Sequence, residues 1–176
     1  VLCRYGYLDT EELNFFKSYP FEKLITQTQL RRVDVPANKN IESVTLGFKH
    51  PVKTMYFFVS KKSRLYNGEY KYMNNDTFLD KELLINGTSV FKETFNSLVN
   101  QNSYKNAEAA QENIGSYSFA MYPLDHEPSG HLNFSRIIDK KIVMTLNNPA
   151  YETEIQIYAV NYNILSYSSG LCGLKF

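Results

Sequence analysis

Three short stretches of this chain place an apolar side chain at every second position: Val44, Leu46 and Phe48; Tyr117, Phe119 and Met121; Ile142, Met144 and Leu146. A period of two fits a strand with one buried face, because successive side chains leave a strand on opposite sides. The 14 Tyr and 12 Phe among 176 residues reinforce the reading, since flat, half-buried sheet surfaces suit aromatic rings.

Other segments extend the pattern. Residues 2–8 read as a short aromatic strand, and residues 22–35 mix polar and apolar side chains in an extended manner. Residues 52–59 are continuously apolar and are expected to form a hairpin with residues 43–48 across His50-Pro51. Leu83-Leu84-Ile85 precedes Asn86-Gly87, a strong tight-turn pair. Leu132, Phe134 and Ile138 are expected on one strand face, and residues 154–167 form the longest strand candidate.

Helices enter only as insertions. Asp9 can cap a short one, with Glu12 placed as in a capping box and Tyr19-Pro20 ending it. Phe91, Phe95, Leu98 and Val99 fall at helical spacing and predict a second. The count is about eight strands with no alternation of strand and helix, which gives an all-β antiparallel sandwich with short helical insertions. Pattern alone does not choose between a jelly roll and another Greek-key sandwich.

Composition limits the functions open to such a body. Lys and Arg number 19 against 18 Asp and Glu, so a net charge of +1 offers no attraction to nucleic acid or an anionic membrane. No run approaches the roughly 20 apolar residues of a spanning helix. The chain opens without an initiator Met or signal-peptide pattern, and is expected to be a fragment. Cys3 and Cys172 are too few for a disulfide scaffold and are expected to be reduced. The sequons at Asn75, Asn86 and Asn133 matter only in a secretory compartment.

Catalytic constellations are weak. His126-Glu127-Pro128-Ser129-Gly130-His131 sets its histidines five apart, not the four that one helical turn requires, and contains two helix breakers. Three histidines in all, with His50 before a proline, make a poor cupin-type metal set. Ser129 and Ser168-Ser169 lie beside glycines without a nucleophile elbow, and no phosphate-cradling loop is present. Lys61-Lys62-Ser63-Arg64 and Lys140-Lys141 read as solvated turns. Tyr66, Tyr70 and Tyr72 suit either a nucleic-acid base or another protein. No enzyme, cofactor or metal is expected.

Several ordered segments carry a resemblance. Tyr5-Gly6-Tyr7-Leu8-Asp9-Thr10-Glu11-Glu12, Phe48-Lys49-His50-Pro51-Val52-Lys53, Tyr117-Ser118-Phe119-Ala120, the run from Pro128 to Arg136 and the two C-terminal pieces Ala159–Leu165 and Ser169–Leu174 follow one another along the chain. Together they resemble the second jelly roll of nucleocytoplasmic large DNA virus major capsid proteins, over nearly the whole chain. Residues 60–76 and 100–114 match no motif, as expected of variable loops.

The resemblance implies that residues 1–176 form a single eight-stranded jelly roll, the second of two, with the first absent from this chain. It implies a structural protein that trimerises into pseudo-hexagonal capsomers, tiles an icosahedral shell and meets minor capsid proteins, without nucleic-acid contact or membrane insertion. The virion capsid, assembled in the host cytoplasm, is the implied location. A lattice-forming scaffold of the poxvirus type and a carbohydrate-binding jelly-roll module are the alternatives.

The residues expected to matter for assembly are Asp9, His50, Pro51, Pro128, Ser129, Gly130, Asn133, Ser135, Arg136, Asn161, Gly170 and Gly173. Pro128-Ser129-Gly130 is expected to fix a tight loop, with Asn133 and Arg136 tying it to the sheet. For Arg136 two readings stand: a partly buried head paired with a carboxylate such as Asp9 or Glu12, or an exposed strand-end arginine. The implied fold sets its first and last strands side by side, which would bring Cys3 and Cys172 into one region.

Overall fold

A computed structural model describes residues 2–62, 78–94, 97, 114–147 and 149–176. Of the three alternating segments, the one at 142–146 becomes a strand with the faces its period dictates. The strand at Val44 ends at Thr45, and of Tyr117, Phe119 and Met121 only Tyr117 lies on a strand, while Ser116 and Ala120 are buried there and Met121 is exposed. In β8 (Lys140–Leu146), Lys140, Ile142, Met144 and Leu146 are buried while Lys141, Val143 and Thr145 are half-buried on the other face. The remaining elements are α1 (Thr10–Ser18), β1 (Phe21–Val35), β2 (Ile41–Thr45), β3 (Pro51–Lys61), β4 (Phe78–Ile85), β5 (Thr88–Thr94), β6 (Gly115–Ser118), β7 (Leu132–Asn133), β9 (Thr153–Ser168) and β10 (Leu171–Leu174).

One sheet runs β1-β9-β3-β6, with the short β7 against β3 and β10 against β9; the other runs β2-β8-β4-β5. The resolved pairings are all antiparallel. Four main strands in each sheet, with the chain crossing between sheets at every main connection but the β4–β5 hairpin, is the winding of a jelly roll. The β4–β5 hairpin turns where the sequence predicts, with Asn86 at φ 50° and Gly87 at φ 79°, the two left-handed positions of a type I′ turn.

Contacts divide the chain into two units, Thr28–Asn161 and Val1–Gln27 with Tyr162–Phe176. The first holds the core. Met55, Phe57, Ile155 and Ile157 from one sheet and Ile142 and Met144 from the other are fully buried, and each such side chain contributes about 1.5–3 kcal/mol of apolar transfer. Phe91 of β5 stacks on Tyr117 of β6 at 3.9 Å between ring centres, tying the two sheets at a second point.

The second unit carries α1, whose capping box is complete: the Asp9 carboxylate accepts from Glu12 N–H (2.9 Å), and the Glu12 carboxylate from Asp9 N–H (3.3 Å). Phe16 meets Phe21 at 5.3 Å, and Phe21 stacks on Tyr167 at 4.4 Å. The turn from β9 to β10 places Ser169 and Gly170 at φ 53° and 76°. Asn163 donates to Gln27 Oε1 (2.9 Å) and to the Phe176 carbonyl (2.8 Å).

Four expectations need correction. Residues 43–48 and 52–59 do not form a hairpin, because β2 pairs with β8 and β3 with β9; residues 46–50 are a corner between sheets. Phe91 lies on a strand, not a helix. A separation of four satisfies both a period of two and a helical turn, so Phe91 and Phe95 did not discriminate; Phe95, Leu98 and Val99 lie outside the described residues. Leu132 and Phe134 share no strand face with Ile138, because the chain turns into a 3-10 segment over Phe134–Arg136 that buries Phe134 and leaves Ile138 exposed. Residues 2–8 form no strand and are exposed throughout.

Candidate assembly site

The inter-sheet corner is where the sequence motifs converge. Phe48 is buried in the core and brings its neighbours to the sandwich end. Beyond it Lys49 is held through its backbone: its N–H donates to Gln29 Oε1 (3.0 Å), and its carbonyl accepts from Gln29 Nε2 (2.7 Å). The same Gln29 amide donates to Asn161 Oδ1 (2.9 Å), so one β1 side chain joins the corner to β9. Asn161 is fully buried, and its polar contacts offset the cost of burying an amide.

His50 then adopts φ 67°, a left-handed conformation uncommon for a side chain of its size. Two hydrogen bonds hold it there. Its N–H donates to Ser135 Oγ (2.7 Å), and its carbonyl accepts from Phe134 N–H (3.0 Å). Pro51 follows as the first residue of β3, opposite Asn133, where its missing N–H costs least. Asn133 caps the 3-10 turn by accepting from Ser135 N–H (3.1 Å).

Lys140 closes the corner from the other sheet. Its ammonium donates to the Phe134 carbonyl and to the Ile137 carbonyl (2.9 Å), while its own carbonyl accepts from Leu46 N–H (2.9 Å). Burial, followed by the nearby Lys49 charge, lowers its pKa. Lys140 is therefore a buried strut and not the solvated turn its sequence suggested. Gln29 and Lys140 are the two residues of this network that sequence reasoning missed. The signal for Lys140 was present: it lies in phase with Ile142, Met144 and Leu146.

The Pro128-Ser129-Gly130 segment abuts the same region. Ser129 Oγ accepts from Tyr122 N–H (2.8 Å) and donates to the Tyr122 carbonyl (3.2 Å), closing the loop on itself. Gly130 sits at φ 145°, and a Cβ there would stand 2.6 Å from the Phe119 carbonyl oxygen. Phe119 N–H in turn donates to the Lys53 carbonyl on β3 (2.9 Å). Only glycine lets the loop lie this close to the strand end. Pro128 itself is exposed.

The other expected residues lie elsewhere. Asp9 and Glu12 are occupied with each other, and Arg136 is exposed with no ion pair among the described residues, so the strand-end reading holds over the buried pair. Gly170 makes the β9–β10 turn and Gly173 lies in β10. Cys3 and Cys172 both fall in the unit of the two termini, and both are free thiols. Cys172 stands opposite Tyr167, and its sulfur, as the hydrogen-bond partner of the phenol, is the main cause of the raised Tyr167 pKa, followed by burial.

Among the described residues, no three His, Cys, Asp or Glu side chains are placed to hold a metal ion. No described helix is long and apolar enough to cross a membrane. Lys62 ends β3 in ion pairs with Asp34 (3.0 Å) and Glu152 (3.5 Å), whereas Ser63, Arg64, Tyr66, Tyr70, Tyr72 and the Asn75 sequon lie outside the described residues.

Comparison with known proteins bears on what such a rigid corner is for. Residues 12–173 match the family described as large eukaryotic DNA virus major capsid protein. The major capsid protein of Pyramimonas orientalis virus is 32% identical over 98% of this chain and 47% of its own length. That of Paramecium bursaria Chlorella virus 1 is 24% identical over the whole chain and 53% of its own length. The chain thus spans about half the length of these relatives. Among solved structures, a quasi-atomic model of the PBCV-1 virus capsid superposes with a TM-score of 0.82 at 22% identity, covering 97% of this chain and 55% of that one. The Faustovirus major capsid protein gives 0.68 at 12% identity, over 90% and 36%.

Proposed function

Because this chain belongs to the large eukaryotic DNA virus major capsid protein family, we propose that it is a building block of a virion shell, working by fitting against copies of itself and not by turning over a substrate. The observation that carries this reading is the corner. Residues of three separate motifs (His50-Pro51; Gly130 with Asn133 and Ser135; Asn161) meet at this corner, and Lys140 of the other sheet donates to the same turn, so its polar groups hold the two sheets in a fixed relation. A shell subunit needs that stiffness, since small tilts within a subunit accumulate across a lattice.

In this reading residues 1–176 act as one jelly roll of a longer protein whose remainder supplies another. The whole protein forms a homotrimer, the trimers tile the shell and minor capsid proteins join them, in the host cytoplasm and without direct contact with nucleic acid. The corner residues serve by fixing the shape of the sandwich end.

The test is the longer protein itself, purified and examined by sedimentation and by imaging of virions. A trimer in solution and its density in the mature shell are expected. A monomer absent from mature particles would overturn the proposal, and a lattice former present only in immature particles would favour the scaffold role.

A further inference from the structure

Residues 2–8 combine the chemistry of a strand with the surroundings of a solvated tail. Leu2, Cys3, Tyr5, Tyr7 and Leu8 make five of the seven positions apolar or aromatic, yet every one is exposed, Tyr7 at 94%. None of the seven makes a hydrogen bond to a described residue. The adjoining helix shows the same mismatch. Nine residues are too few for a helix to persist in water on propensity alone, and α1 buries no residue although it carries Leu13, Phe15 and Phe16. Both segments present apolar surface on one continuous stretch of chain, and the only charge in residues 2–8 is Arg4. An apolar, hydrogen-bond-hungry partner fits this surface; an anionic one does not.

We infer that residues 2–8 are a strand awaiting its sheet, and that they pair with a sheet edge in the remainder of the longer protein, with the apolar side of α1 seated beside them. The inference rests on the reading that this chain is one portion of a longer capsid protein. The length of the relatives supplies the occupant: this chain accounts for 47% and 53% of two of them, so a polypeptide of similar size is available to cover the surface. Pairing would satisfy the backbone groups of residues 2–8 and bury their side chains in one step.

Amide hydrogen exchange tests this on the longer protein and on the present 176-residue chain, both kept dilute enough that sedimentation shows no lattice. Residues 3–8 should exchange at least about 100-fold more slowly in the longer protein than in the chain alone. Tyr5→Pro in the longer protein should return those amides to fast exchange while the β9 amides stay protected, because proline removes a ladder donor. Equal exchange in both proteins would overturn the inference. So would protection in the chain alone that rises with its concentration, which would assign the surface to a second copy. A longer protein that protects residues 3–8 but never assembles leaves this pairing standing and removes only the shell function.

Discussion

The corner at His50 and the helix α1 are opposite answers to the same problem of holding a short segment in place. The 3-10 turn beside the corner is three residues long, yet Phe134 within it is wholly buried and its neighbours bond to groups 85 positions away. The helix is nine residues long with both ends capped, and buries nothing. Local hydrogen bonding therefore specifies α1, and distant packing specifies the corner. Completeness of a cap says nothing about how firmly an element belongs to the core.

Substitutions can break or sharpen that contrast. Phe134→Ala should have the largest effect, a loss of about 3–5 kcal/mol in urea unfolding, as expected for emptying a buried aromatic site. Gly130→Ala comes next, at about 1–3 kcal/mol by thermal melting, because the added Cβ would clash with the Phe119 carbonyl oxygen and the positive φ strains any L side chain. Ser135→Ala removes the acceptor of His50 N–H and should cost about 1–2 kcal/mol in the same assay.

On the other side of the contrast, Asp9→Ala should loosen α1 by about 1 kcal/mol. That loss should appear as faster amide exchange at residues 11–13, with the global unfolding midpoint unmoved. A midpoint shift as large as that of Ser135→Ala would place α1 inside the cooperative core and erase the distinction. Arg136→Ala, the smallest change, should stay within about 0.5 kcal/mol, since its side chain is exposed and has no ion pair among the described residues.

The same contrast explains what was legible in the sequence. Period-two segments gave β8 and much of β2, because alternation is written in neighbouring residues. Asn86-Gly87 and the Asp9–Glu12 spacing gave a turn and a cap for the same local reason. What failed was anything decided by a partner. Adjacency made β2 and β3 look like a hairpin, although each belongs to a different sheet. Strand propensity over residues 2–8 was real, but propensity without an edge to pair with leaves a coil. Of the site, the motif residues pointed to the corner as a group. Gln29 and Lys140 stayed hidden because a polar residue on a strand declares itself only once its acceptors have been brought to it.

The separation of β2 from β3 also fixes how this protein can come into being. Ile41 must find Thr145 and Thr54 must find Val160, closures of roughly a hundred residues each, while the β4–β5 and β9–β10 hairpins form from near neighbours. As the chain leaves the ribosome, β1 and β2 travel without mates until β9 and β8 have been synthesised, and β3 has only β6 and β7 on one side until β9 follows. Such long closures favour slow, late folding, and one edge of apolar β3 waits open for β9 in the interval, the kind of unpaired edge through which nascent copies aggregate.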